Sequence, residues 1–130
     1  MIILTLRTDK PEAEIGLFQD QQQLAYVIWQ AHRQLAETLH KQISDMLTTA
    51  DYSLKDINAI AVYKGPGSFT GLRIGISVAN SLASSYSLPI VAQDGTNWQA
   101  NSIGRLIEGE TDEVALPEYG AAVHITTPKK

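Results

Sequence analysis

The sequence predicts an α/β fold, one mixed sheet with helices packed on it, and three observations carry that prediction. A nearly continuous β-branched apolar run opens the chain at Ile2–Leu6. Apolar residues then recur every three or four positions through Ala31–Ala50, the spacing of a helix. A second apolar run, Ile57–Tyr63, leads directly into a glycine-rich turn and another helical stretch. The resulting order of strand, hairpin strands, helix, strand, helix, strand fits a sheet of five strands with two main helices.

Ile2–Leu6 shows almost no polar alternation, the pattern of a strand covered on both faces, and so is expected at the centre of the sheet. Thr8-Asp9-Lys10-Pro11 is turn-forming, and beyond it Glu14–Phe18 and Leu24–Trp29 flank the polar Gln19–Gln23, which predicts a hairpin. Leu35, Leu39, Ile43, Met46 and Leu47 form the apolar stripe of an amphipathic helix. Ser53, followed three residues later by Asp56, is a capping signal ahead of the strand Ile57–Tyr63. Lys64-Gly65-Pro66-Gly67-Ser68 opens a helix over Phe69–Tyr86, and Pro89–Ala92 closes the pattern as a short strand. Beyond Asp94 the pattern weakens. Asn97–Ile107 is compatible with a helix, Gly109–Glu113 is acidic, and Val114–Thr127 carries short extended patterns interrupted at Pro117. The principal domain is therefore assigned to residues 1–93, with 94–130 as a short additional piece.

A chain of 130 residues suits one core, and 44% hydrophobic with 18% charged residues describes a globular protein rather than a disordered one. The net charge of −4, with no Lys/Arg cluster beyond Lys129-Lys130, argues against an independent grip on nucleic acid. The absence of cysteine excludes a disulfide frame and a thiolate metal site, and suits a reducing compartment. Arg7 and Asp9 follow the first apolar run too closely for a signal peptide, and no later run is long enough to span a bilayer, so a cytoplasmic protein with no membrane partner is expected.

The most informative stretch is Gly65-Pro66-Gly67-Ser68-Phe69-Thr70-Gly71-Leu72-Arg73-Ile74-Gly75. Its glycines and proline make a tight turn between strand and helix, and Ser68 or Thr70 can cap the helix. The free N–H groups of such a turn could face an anion, but the Gly-Lys-Ser/Thr ending of a P-loop is missing. Within the helix Gly71, Gly75, Ala79 and Ala83 recur every fourth residue, a stripe that admits another backbone closely. Helical glycine costs about 1 kcal/mol relative to alanine, so close contact has to compensate; on the residues alone, packing inside the domain is favoured. His32, His40 and His124 have no metal-ligand spacing, Ser68 has no base nearby, and Asp45, Asp51 and Asp56 form no carboxylate pair, so no catalytic or metal residue is assigned.

The run Gly65–Gly75 resembles the signature of the TsaB (YeaZ) family, and the similarity extends from Ile2 to about Trp98 through Leu4-Thr5-Leu6-Arg7-Thr8, Ser53-Leu54-Lys55-Asp56-Ile57 and Leu88-Pro89-Ile90-Val91. The resemblance implies half of an actin-like ATPase fold with ribonuclease-H-like sheet order. It further implies a non-catalytic scaffold for threonylcarbamoyladenosine synthesis on tRNA, with a TsaD-type catalytic subunit and a TsaE-type ATPase as partners. A homodimer is expected when the chain is alone, and tRNA contact comes mainly through the complex. No cofactor of its own is implied; a nucleotide at the interface with the TsaD-type partner is the one left open. Because family members build a helical bundle with their partner, the interface is expected to draw on Leu35, Leu39, Ile43 and Met46 of the first helix. Gly71, Arg73, Gly75, Ala79 and Ala83 are its expected share of the second, with Gly65, Pro66, Gly67, Ser68, Phe69 and Thr70 as the motif loop.

Two departures stand out. The first strand of the family reads Leu-Asp-Thr-Ser, whereas here Arg7 takes the place of the aspartate that positions metal and phosphate in related ATP-using enzymes, which speaks against intrinsic nucleotide chemistry. The family also carries a second domain. Here Leu116-Pro117-Glu118-Tyr119 and Thr127-Pro128-Lys129-Lys130 resemble its C-terminal end, so residues 94–130 are expected to be a short remnant of that domain and its tail. The alternatives are a homodimeric binding module of the same fold with no role in tRNA modification, or a degenerate glycoprotease-like or ATPase enzyme.

Overall fold

The apolar run at the start of the chain becomes the middle strand of a five-stranded mixed sheet ordered β3-β2-β1-β4-β5. In this computed structural model residues 1–118 are described, apart from the side chain of His32. The strands are β1 (Ile2–Arg7), β2 (Glu12–Gln19), β3 (Gln22–Gln30), β4 (Ala59–Tyr63) and β5 (Ile90–Gln93), and the helices are α1 (Leu35–Thr49), α2 (Phe69–Tyr86) and α3 (Trp98–Ile107). β1 runs antiparallel to β2 and parallel to β4, β2 pairs antiparallel with β3, and β4 pairs parallel with β5. The short hairpin between β2 and β3 permits the antiparallel pairing, while α2 supplies the crossover that parallel β4 and β5 require.

Alternation along the strands divides the core into two layers. On one face Leu4, Leu6, Ile15, Leu17, Ile60 and Val62 meet Leu35, Leu39, Ile43, Met46 and Leu47 of α1, and Leu72, Ile76, Ala79 and Ala83 of α2. On the other, Ile3, Phe18, Ala59, Ala61 and Val91 meet Ile103 and Leu106 of α3. Each fully buried Leu or Ile contributes about 1.5–3 kcal/mol, so both layers weigh heavily in the stability of the fold.

Local signals set the helix ends. Ser68 caps α2 by accepting the Gly71 N–H, while Ser87 adopts a left-handed conformation (φ 55°) at the other end and returns its own N–H to the carbonyls of Ala83 and Ser84. Ser53 and Asp56 form the expected capping box, around a single 3-10 turn before β4.

The chain after β5 is part of the same body. Trp98 packs edge-on against Tyr63 with ring centroids 5.8 Å apart, and α3 covers the second face of the sheet. Residues 111–118 then return as a strap. Thr111 Oγ1 accepts the Ile90 N–H at 3.1 Å, Asp112 Oδ2 accepts the Ala92 N–H at 2.8 Å, and the Asn80 side chain both donates to and accepts from the Ala115 backbone. The boundary expected after residue 93 falls between β5 and α3, and α3 covers the second face of the sheet. The similarity of Tyr119 and of Thr127–Lys130 to a family tail lies outside the described residues.

Candidate partner-binding site

The motif turn is built at the carboxyl end of β4 and held from three sides. Gly65 has φ +117°, a conformation that side chains disfavour, and its peptide bond to Pro66 is cis. The Tyr63 hydroxyl donates to the Pro66 carbonyl at 3.2 Å, the Ser68 N–H donates to the Asp9 carbonyl at 3.0 Å, and the Glu118 N–H donates to the Lys64 carbonyl at 2.7 Å. The Ser68 N–H that might have met an anion is thus satisfied within the chain.

α2 leaves this turn lying directly against the end of β1. Thr8 is 1% exposed, and its hydroxyl donates to the Gly71 carbonyl at 2.7 Å. A β-carbon on Gly71 would collide with the Thr8 carbonyl oxygen, and one on Gly75 with the Thr8 side chain. Ala79 and Ala83, on the same stripe, are buried in the core. The close contact that two helical glycines demand is made within the chain, to Thr8 at the end of β1.

The helix residues expected at the interface divide between the core and the surface. Leu35, Leu39, Ile43 and Met46 are no more than 5% exposed and face the sheet, while Gly75, Ala79 and Ala83 face β1 and the core. Gly71 is half-buried against Thr8. The apolar stripe of an amphipathic helix turns toward the largest apolar surface available, here the chain's own sheet. Arg73 alone of the set is exposed, its guanidinium 5.1 Å from the centre of the Phe69 ring, and Phe69 is 54% exposed. Pro66, Gly67, Ser68 and Thr70 of the loop are also exposed, while Gly65 is buried.

What the helices do present is one step around from those stripes. Ala36 and His40 of α1 and Thr70, Arg73, Ile74, Ser77 and Val78 of α2 line an open groove of about 420 Å³. It borders a hollow of about 190 Å³ that reaches Ser44, Tyr52, Leu54 and Leu82. Ile74, Val78 and Leu82 are half-buried and recur every fourth residue, an apolar ridge that lines the groove at Ile74 and Val78 and the hollow at Leu82. These residues lie beside the glycine–alanine stripe in the sequence, so two parallel four-residue repeats run along α2, and periodicity alone does not say which faces inward.

A polar cluster occupies the carboxyl end of β1, beside the point where its neighbours change from antiparallel to parallel. Arg7 Nε donates to Asp9 Oδ1 at 2.8 Å, and the guanidinium sits 3.9 Å above the Tyr63 ring. The hydrogen bond to Asp9 raises the Arg7 pKa above its ordinary value despite partial burial, and burial raises that of Tyr63. Asp9, only 8% exposed, was read from sequence as a turn residue, and its ion pair followed from no local spacing. Among the described residues, no group of three or more His, Cys, Asp or Glu is placed to hold a metal ion, and no helix is long and apolar enough to cross a membrane.

The model of the family described as "TsaD: tRNA N6-adenosine threonylcarbamoyltransferase" matches residues 29–109. The chain is 40% identical to the tRNA threonylcarbamoyladenosine biosynthesis protein TsaB of Escherichia coli (strain K12), with 68% of this chain and 45% of that protein covered. It is 33% identical to the protein of the same name from Bacillus subtilis (strain 168), over 84% of this chain and 47% of that one. A tRNA N6-adenosine threonylcarbamoyltransferase of Staphylococcus haemolyticus (strain JCSC1435) is 44% identical over 47% of this chain and 18% of its own length. Among solved structures, YeaZ from Pseudomonas aeruginosa superposes with a TM-score of 0.67 at 30% identity, covering 72% of this chain and 43% of that chain. The chain thus spans just under half the length of the TsaB relatives it matches. With a family model matched over more than half its length and TsaB and YeaZ proteins similar in sequence and in structure, the chain belongs to the TsaB/YeaZ family and has its actin-like, ribonuclease-H-like α/β fold.

Proposed function

We propose that this protein is a non-catalytic scaffold in threonylcarbamoyladenosine biosynthesis on tRNA, and that it binds a TsaD-type catalytic subunit through the groove between α1 and α2, in an assembly that also engages a TsaE-type ATPase. The observation that carries this reading is the half-buried ridge Ile74, Val78 and Leu82, an apolar surface accessible in the groove and its hollow and flanked by the cationic Arg73. Apolar centres bordered by polar groups and an arginine suit a protein partner. The names of the TsaB relatives supply the process. Against an enzymatic role stands the Arg7–Asp9 pair, which commits the residues at the end of β1 to each other. tRNA is contacted mainly by the partner, in keeping with a net charge of −4, and any nucleotide is shared at the interface.

Co-purification with the TsaD-type protein of the same source tests this. A one-to-one complex is expected, and Val78→Glu should abolish it without unfolding the chain, because Val78 is only half-buried. No complex with the unaltered chain, or full binding by the variant, overturns the proposed site.

A further inference from the structure

Charge is distributed unevenly over this chain, and the groove between α1 and α2 shows it most clearly. The sequence holds 14 Asp and Glu against 10 Lys and Arg. Yet no Asp or Glu lines the groove, the hollow that continues it to Leu82, or a further cavity of about 290 Å³ that opens at its other end. That cavity lies where the turn after β1, the approach to α1 and the first turn of α2 converge. Lys10 and Arg33 line it beside the apolar Pro11, Leu35 and Ile74. Arg73 lines the adjoining stretch of groove, which shares Thr70 and Ile74 with the cavity. It is the one charged side chain in the 18 residues of α2, and the positive end of the helix dipole lies at the same corner. Among the described residues Arg33 and Arg73 enter no ion pair, and Lys10 reaches Glu14 only at 3.9 Å. Glu37, one turn along α1 from Arg33, lines none of these cavities. The hollow at the opposite end, beside Tyr52, Leu54 and Leu82, is lined by no Lys or Arg.

We infer that the segment of the TsaD-type partner seated in this groove is acidic and amphipathic. Its carboxylates lie at the motif-turn end against Lys10, Arg33 and Arg73, and its apolar side chains run on over Ile74, Val78 and Leu82. This rests on the proposed function and adds to it the chemistry and the direction of the bound segment. The apolar lining favours a protein segment over a nucleic-acid backbone, because a run of phosphates leaves Pro11, Leu35 and Ile74 uncovered and the net charge of −4 repels it at longer range. Exposed cations at the rim of an interface act mainly on the association rate and its salt dependence, and they select against partners of like charge.

The test is the binding kinetics of the chain with the TsaD-type protein of the same source, without nucleotide, between about 0.05 M and about 0.5 M NaCl, where the screening length falls from about 14 Å to about 4 Å. Arg33→Glu and Arg73→Glu, both at exposed positions, should each lower the association rate about tenfold at low salt, and the gap should narrow at high salt. Lys55→Glu makes the same change of charge next to Leu54, at the neutral end, and should alter the rate less than about twofold. A complex that forms equally fast at both salt concentrations, or that loses as much to Lys55→Glu as to Arg33→Glu, overturns the inference and leaves the scaffold reading intact. No complex with the native chain overturns both. Binding of tRNA by the chain alone, abolished by Arg33→Glu, also overturns the inference, since the cations then serve phosphates.

Discussion

Gly75→Ala tests directly whether α2 packs on β1. A β-carbon at this position would stand 2.9 Å from Thr8 Cγ2 and 3.0 Å from Thr8 Cβ, closer than such atoms normally approach, and nearer still to the hydroxyl oxygen. Thr8 cannot turn aside freely, because it is 1% exposed and its hydroxyl is bonded to the Gly71 carbonyl. Overpacking of this kind costs about 1–3 kcal/mol. Losing the hydroxyl bond adds about 1 kcal/mol. Against these, alanine gains about 1 kcal/mol over glycine in a helix interior. The clash wins, leaving a net loss of about 1–3 kcal/mol, which for a chain of this size lowers Tm by roughly 5–10 °C. Thermal and urea unfolding of Gly75→Ala, of Thr8→Ala and of the double variant form the assay. Thr8→Ala removes the two nearest colliding atoms, Oγ1 and Cγ2, and leaves only Cβ, so the double variant should be more stable than the sum of the two losses predicts, by about 1–2 kcal/mol. If Gly75→Ala alone raises Tm, helix propensity is acting without opposition and α2 does not rest on Thr8.

The remaining predictions concern the strap and the buried phenols. Asn80→Ala removes both hydrogen bonds to the Ala115 backbone and should lower stability by about 1–2 kcal/mol, with faster amide exchange at Ile90 and Ala92 as the direct sign that the strap has loosened. For Asp112, burial disfavours the charge, but the bonds from Arg105 and the Ala92 N–H prevail and hold its carboxyl below the ordinary value of 3.8. A lowered folded-state pKa means that the contribution is fully present above that value and is lost as pH falls through the lowered one, so the stability gap between the native chain and Asp112→Asn should close only under strongly acidic conditions. Burial, reinforced by the hydrogen bond to Glu14, raises the Tyr26 pKa above its ordinary value of 10.0, and burial raises that of Tyr63. An ultraviolet titration should show phenols that ionise only above the ordinary range, and Tyr26→Phe should remove one of them; five tyrosines titrating together near the ordinary value would contradict the burial.

The sheet and its two long helices were legible because their patterns are one-dimensional. Ile2–Leu6 could read as a central strand because both of its faces are covered, and Phe69–Tyr86 could be bounded because a glycine–proline turn precedes it and Pro89 follows it. What could not be read was direction. Along α2 the residues Gly71, Gly75, Ala79 and Ala83 and the residues Ile74, Val78 and Leu82 repeat with the same period, so spacing is equally consistent with either row inward. Only the approach of Thr8, distant in sequence, decides between them. The same holds for the Arg7–Asp9–Tyr63 cluster and for the strap on β5, whose members are brought together by strand pairing and carry no local signature.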